Sequence, residues 1–195
     1  MITLIFDTET SGKADFKNPH DYKVQPYAVQ FAAVLVEDDN IVAEVAVVID
    51  NDIDIDPFVT GIHGIDRASA KRTGISQRTA CSIFKDLFKV SDRIAGHNVD
   101  FDLIIMKAAL AREGMSDEMF DRKVKPRVCT MKTSTDIMKL KGNFGYKYPK
   151  LTEAHEYYLG CGFEGAHDAL ADVKATYRVL QEMEKRGIKM LQGSM

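Results

Sequence analysis

The chain opens on a largely apolar run, Ile2 to Phe6, which gives way abruptly to Asp7-Thr8-Glu9-Thr10-Ser11-Gly12. A short run of that composition is the pattern of a buried strand. After a polar stretch from Lys13 to Gln25 come two further apolar runs, Tyr27 to Val36 and Ile41 to Ile49, separated by Glu37-Asp38-Asp39-Asn40. Two runs about an acidic break predict a hairpin with a solvated turn, so the first three strands form an antiparallel meander. The period changes to that of a helix at Ile83, Phe84, Leu87 and Phe88, with Ser76 and Thr79 as candidate caps. Ile94-Ala95-Gly96 predicts a short buried strand. Phe101, Ile104, Ile105, Ala108 and Ala111 predict a helix to Arg112 that Gly114 ends. Val128-Cys129-Thr130 is a further strand candidate. A last helix, ending near Arg186-Gly187, carries Leu170, Val173, Tyr177 and Leu180 as its apolar stripe and Asp168 as its cap. The segment Lys139 to Lys150, with Gly142, Gly145 and Pro149 among lysines and aromatics, predicts a mobile loop. Strands paired by hairpins and then alternating with helices give a mixed α/β fold. Its central sheet has about five strands, the first three antiparallel, flanked by helices.

Composition narrows this picture. A chain of 195 residues with 45% hydrophobic content buries one sizeable core, which predicts a single domain over residues 1–195. Cys81, Cys129 and Cys161 are odd in number, widely spaced and form no C-x-x-C pair, so buried free thiols are expected in place of disulfides or a zinc knuckle. No apolar stretch approaches the roughly 18 residues that cross a bilayer, and no basic leader precedes the first strand, so the expectation is a soluble cytoplasmic protein with no membrane partner. No tail or second domain is expected beyond the last helix. A net charge of −3 has the wrong sign for a protein that coats nucleic acid through bulk electrostatics. It leaves open an enzyme that grips a few nucleotides at a chain end through bound cations.

The candidate chemistry lies in carboxylates at element ends. Side chains two apart on a strand leave by one face, so Asp7 and Glu9 project together while Thr8 points away. Like charges side by side at the end of a buried strand call for a cation, and hard oxygen donors favour Mg²⁺ or Mn²⁺. Two further groups sit at helix starts. Gly96-His97-Asn98-Val99-Asp100-Phe101-Asp102 puts Asp102 one turn before Ile105 and Met106, bordering an apolar face. His167-Asp168-Ala169-Leu170-Ala171-Asp172 puts Asp172 one turn after Asp168, with His167 ahead of the helix. The alternation Asp50-Asn51-Asp52-Ile53-Asp54-Ile55-Asp56 predicts a solvated edge.

The order Asp7-x-Glu9, His97-Asn98-x-x-Phe101-Asp102, His167-x-x-x-x-Asp172 resembles the three motifs of the DEDDh exonucleases, a family typified by the proofreading epsilon subunit of bacterial DNA polymerase III. Ile62-His63-Gly64-Ile65 and Leu151-Thr152-Glu153-Ala154 are secondary marks of the same likeness, which covers nearly the whole chain. The resemblance implies a ribonuclease H-like fold and hydrolysis of phosphodiesters from a 3′ end, releasing nucleoside 5′-monophosphates. It implies two divalent cations, Mg²⁺ or Mn²⁺, held by Asp7, Glu9, Asp102 and Asp172, with His167 as general base. The chemistry agrees with the residues. Two metals roughly 3.5 to 4 Å apart clamp the attacking and leaving oxygens, and imidazole is suited to taking a proton near neutrality. Thr10, His63 and Phe101 are implied as substrate contacts, a core aromatic being the other reading of Phe101. His97 before Asn98 reads as a backbone-bonding histidine, and His20 and His155 as surface or structural.

The expected partner is a single-stranded nucleic-acid 3′ end, DNA first and RNA or oligoribonucleotide second, with the chain acting alone or serving a DNA polymerase through its surface. The lysines of 139–150 either guide that strand or form a solvated cluster. Two rival readings exist. Asp7 to Gly12 imitates the first half of a calcium loop, but its twelfth position is Asn18 in place of a bidentate glutamate, and a strand precedes it. An inactive nucleic-acid-binding module on the same fold is the alternative from another class.

Overall fold

The computed structural model describes residues 1–120 and 125–191. The three apolar runs form β1 (Ile2–Thr10), β2 (Ala28–Glu37) and β3 (Asn40–Asp50). They pair antiparallel in sequence, Glu9 facing Gln30 and Glu37 facing Asn40. The acidic turn is the two-residue loop Asp38-Asp39, with φ of 47° and 63°. Both positive values match the right-handed twist of the flanking strands, and aspartate tolerates them better than most residues.

Three more strands complete the sheet. These are β4 (Ile75–Ser76), β5 (Arg93–Gly96) and β6 (Arg127–Cys129), in the order β4-β3-β2-β1-β5-β6. β5 runs parallel to β1 and to β6. Because β1 and β5 are parallel, their carboxyl ends, with Asp7 and Glu9 on one and the start of the second acidic motif on the other, meet at one edge of the sheet. Six strands form where about five were expected, the extra one being the two-residue β4, too short to leave a pattern in sequence.

Helices cover both faces. α3 (Gln77–Val90) and α4 (Val99–Arg112) lie on one, where Leu4, Phe6, Phe31, Ala33 and Leu35 meet Phe84, Phe88, Leu103, Met106 and Leu110. α7 (Ala169–Lys185) lies on the other, where Ile5, Ala32, Val34 and Val36 meet Val173, Tyr177 and Leu180. The period of two divides β1 and β2 between two cores, which is why the apolar residues of both strands run on without polar alternation. Ser76 caps α3, accepting from the Thr79 N–H, and Asp168 caps α7, accepting from the Leu170 and Ala171 N–H groups.

Four helices lie where sequence periodicity marks none. α1 (Pro57–His63) and α2 (Arg67–Thr73) are too short for a stripe, and α1 buries no residue. The acidic stretch before them is structural: Asp56 caps α1, Asp66 caps α2, and Asp52 and Asp54 each pair with Arg67 at 2.9 Å. α5 (Thr130–Met138) begins where a strand was expected to continue, and α6 (Leu151–Leu159) carries the Leu151-Thr152-Glu153-Ala154 segment. Residues 139–150 contain a small hairpin of β7 (Lys141–Gly142) and β8 (Gly145–Tyr146). Cys81 and Cys129 are buried free thiols as expected. Cys161 is exposed, because it follows the Gly160 cap of α6 in a surface turn. Among the described residues no helix is long and apolar enough to cross a membrane.

An aromatic knot fastens α3 to the sheet. The Phe84 ring stacks on Phe120 at 5.0 Å and lies 5.0 Å from Phe6 and 5.7 Å from Phe31. Phe84→Ala is expected to cost roughly 3–5 kcal/mol, the usual range for emptying a fully buried aromatic site. Denaturant unfolding checks this, and a loss below about 1 kcal/mol would mean that the knot is not built this way.

Candidate active site

Asp7 and Glu9 leave β1 by one face and Thr8 by the other, as the strand period requires. Thr8 is not idle. Its backbone N–H and its hydroxyl both donate to Asp102 Oδ1, at 2.9 and 2.8 Å. Asp102 lies in the first turn of α4 and is buried, so this double grip ties the helix to the strand and fixes the third carboxylate beside the first two. The fourth, Asp172, stands in the first turn of α7.

Gln30 holds that helix start in place. It faces Glu9 across β1 and β2, its side-chain amide donates to Asp168 Oδ2, and its carbonyl oxygen accepts the Ala169 N–H, both at 3.1 Å. His167 precedes the cap with φ of 72°, left-handed backbone that a non-glycine residue adopts only under constraint. Its N–H donates to Asp172 Oδ2 at 3.3 Å, closing the turn on the carboxylate. One ligand atom from each of Glu9, His167 and Asp172 lies within 4.8 Å of the others.

The electrostatics show how crowded this corner is. Burial raises the Asp7 carboxyl well above its ordinary pKa, and Asp102, Asp172 and Glu9 push it further. Glu9 rises to about 8, through burial first and then Asp172 and Asp102. Burial lifts Asp102 to about 7 against the Thr8 hydrogen bonds, and Asp172 to about 6 against the His167 N–H. Asp172 Oδ1 is buried with no hydrogen-bond partner. An oxygen-rich cluster that repels itself and leaves a buried acceptor unsatisfied fits divalent cations, which would supply the missing positive charge.

Asp7, Glu9, Asp102, His167 and Asp172 thus come together. His63, at the end of α1, joins them from the side. Its Nδ1 accepts the Ile65 N–H at 3.1 Å, and burial lowers its pKa, opposed by the Thr10 carbonyl and reinforced by His167. Phe101, next to Asp102 in sequence, is half-buried, packs on the core rim and lies 6.4 Å from the Phe16 ring. The Thr10 side chain is turned inward, its hydroxyl donating to the Gly12 carbonyl at 2.5 Å, so its contribution to the cleft is the backbone. His97 is half-buried and structural. Its ring bonds Thr130 Oγ1 at 2.9 Å and the Pro149 carbonyl at 3.0 Å, and burial lowers its pKa to about 4.

Thr8 and Gln30 are the positioning residues that sequence reasoning passed over. Gln30 left a trace as the one amide in the apolar run Tyr27 to Val36. Thr8 left none beyond standing between two acids.

A family model described as an exonuclease, RNase_T, matches residues 4–180. The chain belongs to this exonuclease family, the DEDDh group of 3′-to-5′ enzymes that its motifs resemble. No individual characterised protein matches it in sequence. Among solved structures, Escherichia coli exonuclease I in complex with a dT13 oligonucleotide superposes with a TM-score of 0.78 at 20% identity, over 95% of this chain and 41% of that one. The zinc-bound form of the E. coli exonuclease I–ssDNA complex gives 0.76 at 21%, over 95% and 41%. A moderately thermophilic exonuclease I from Methylocaldum szegediense gives 0.76 at 21%, over 95% and 40%. At such identities the likeness shows the fold, and this chain spans about 41% of the first of those chains.

The raised carboxyls have a consequence for stability. A carboxyl whose pKa is higher in the fold keeps its proton there after the unfolded chain has released it, so stability is greatest at low pH and is lost as pH rises through the window. For Glu9 that window runs from 4.5 to about 8. Freed of cations with chelator, the protein is expected to melt lower at pH 8 than at pH 5, and Asp7→Asn to melt higher than the parent at pH 8. Each kcal/mol of relieved repulsion corresponds to roughly 2–4 °C. Added Mg²⁺ or Mn²⁺ should stabilise the parent more at pH 8 than at pH 5. Calorimetry that finds the parent and Asp7→Asn alike across this range would remove the repulsion argument.

Proposed function

We propose that this chain is a metal-dependent 3′-to-5′ exonuclease that acts as a single domain on single-stranded DNA 3′ ends, with RNA ends second. The observation that carries the reading is the convergence of Asp7, Glu9, Asp102 and Asp172, each pushed toward a higher pKa, around one corner that also holds His167. Family membership supports the reaction class, and the oligonucleotides bound to exonuclease I in the matching structures support the strand preference.

In this reading Asp7, Glu9, Asp102 and Asp172 hold two divalent cations, Mg²⁺ or Mn²⁺. Bound there, the cations would lower the pKa of the attacking water and offset charge on the scissile phosphate. His167 accepts the proton of that water as its oxygen bonds to phosphorus. The P–O3′ bond breaks, the penultimate nucleotide keeps its 3′ oxygen and gains a proton from solvent, and a nucleoside 5′-monophosphate leaves. The left-handed backbone at His167 and the bond from its N–H to Asp172 fix the base with respect to the carboxylates, so little ordering remains for the reaction itself. Thr8, through Asp102, and Gln30, through the α7 cap, make the geometry independent of substrate. His63 and Phe101 border the space for the terminal nucleotide.

Asp7→Ala should abolish mononucleotide release from a labelled single strand, by about 10³-fold or more if several kcal/mol of cation stabilisation are lost. Turnover at the parent rate, or full turnover in excess chelator, would favour a module that only binds nucleic acid.

His167→Ala distinguishes a base from a ligand. As a base, His167 accounts for roughly 10²–10⁴-fold in rate, and the variant keeps the parent's thermal stabilisation by Mn²⁺. Its proximity to Glu9 and Asp172 also suits a ligand, and loss of the Mn²⁺ stabilisation along with the rate would assign it that role instead.

A further inference from the structure

Residues 139–150 carry four lysines and no aspartate or glutamate, in a chain whose net charge is −3. Residues 141–148 are all exposed. Three of them are aromatic at alternate positions: Phe144 at 101% exposure, Tyr146 at 54% and Tyr148 at 61%. Isolated apolar side chains on a surface need no explanation, but three rings in five residues, set between lysines, are costly to leave in water without a partner.

The segment is built rather than loose. Lys141 pairs with Tyr146 and Gly142 with Gly145, the Lys147 N–H closes the base on the Leu140 carbonyl at 2.9 Å, and Gly145 supplies a φ of 87° at the turn. Lys147 is engaged by Glu153 at 2.5 Å, whereas Lys139 and Lys141 make no ion pair among the described residues. Pro149, the one buried residue of the hairpin's return, is held through its carbonyl by His97 Nε2. His97 directly precedes Asn98 and the helix that bears Asp102. The hairpin therefore springs from the sheet edge that holds the acidic corner.

We infer that the β7–β8 hairpin is a strand-holding arm: Phe144, Tyr146 and Tyr148 stack on bases, and Lys139 and Lys141 meet phosphates, of the single-stranded DNA upstream of the 3′ end. Rings with exposed faces among unpaired cations are what sequence-independent single-strand binding uses, since every base offers a π-face. A folded protein partner would need apolar area packed into a continuous patch, and these rings are separated by cationic and glycine positions. The arm rests on the exonuclease reading for its direction, because it makes the acidic corner the end toward which the strand is led.

Binding is measured first, with a long fluorescent oligodeoxynucleotide in chelator, so that turnover plays no part. The triple variant Phe144→Ala/Tyr146→Ala/Tyr148→Ala should bind at least about tenfold more weakly, the loss expected from a single well-stacked base. Lys139→Gln/Lys141→Gln should flatten the dependence of log K on log salt by roughly 1.4, about 0.7 for each phosphate contact removed from a single strand. Turnover is then compared on the long strand and on the p-nitrophenyl ester of thymidine 5′-monophosphate, which reaches only the acidic corner. The ratio of kcat/KM, long strand over ester, should fall about tenfold or more in the triple variant. Unchanged affinity and salt slope, or equal losses on both substrates, would overturn the arm. A parent that binds the strand yet releases no nucleotide would overturn the exonuclease reading while leaving the binding comparison decisive. An RNA strand held more tightly than DNA of the same sequence would overturn the assignment to DNA.

Discussion

Four carboxylates held together against their mutual repulsion are the constraint on which the rest of this structure turns. No single element can provide such a cluster, because neighbouring positions on one strand or helix leave the acids free to turn into water. Here they come from the end of β1 and the first turns of α4 and α7, and each source is tied down by neutral hydrogen bonds. Thr8 spends two donors on one Asp102 oxygen, and Gln30 both donates to the α7 cap and accepts from its first turn. The helix starts add their own positive ends, which favour carboxylates in a first turn. The cluster is thereby organised before any cation arrives, at a cost in stability that a cation would remove.

That arrangement explains why the core is distributed as it is. β1 and β2 are apolar on both faces because helices cover both. With α4 on one face and α7 on the other, their amino ends reach the carboxyl end of β1 from opposite sides. A sheet covered on one face only would have allowed carboxylates from one helix and β1, but not a second helix opposite.

Much of this was legible in the chain. The meander, the acidic hairpin turn, the caps Ser76 and Asp168, and the gathering of Asp7, Glu9, Asp102, His167 and Asp172 all follow from local pattern or motif order. What escaped shares a physical character. α1 and α2 are seven residues each, less than the span over which a stripe can show, and β4 is two. The partners of Thr8 and Gln30 lie 94 and 138 residues away, and no local pattern records a bond across that distance. Cys161 was misread because a thiol's usual preference for burial says nothing about a residue just past a helix cap. The inward turn of the Thr10 hydroxyl likewise depends on the path of the chain at Gly12.

Net charge concealed the remaining feature. A total of −3 argues against a nucleic-acid coat, yet it averages 26 basic and 29 acidic side chains over the whole chain and so conceals both an acidic corner and a basic hairpin. In the proposed reading, a strand entering such a field would be drawn by its phosphates to the lysines and repelled by bare carboxylates until cations neutralised them. His97 lies where the two regions meet: its imidazole bonds the Pro149 carbonyl on the hairpin's return and Thr130 Oγ1 at the start of α5, and its backbone directly precedes Asn98 and α4. Burial keeps that imidazole neutral across the physiological range, with a pKa near 4, so the joint does not loosen with pH.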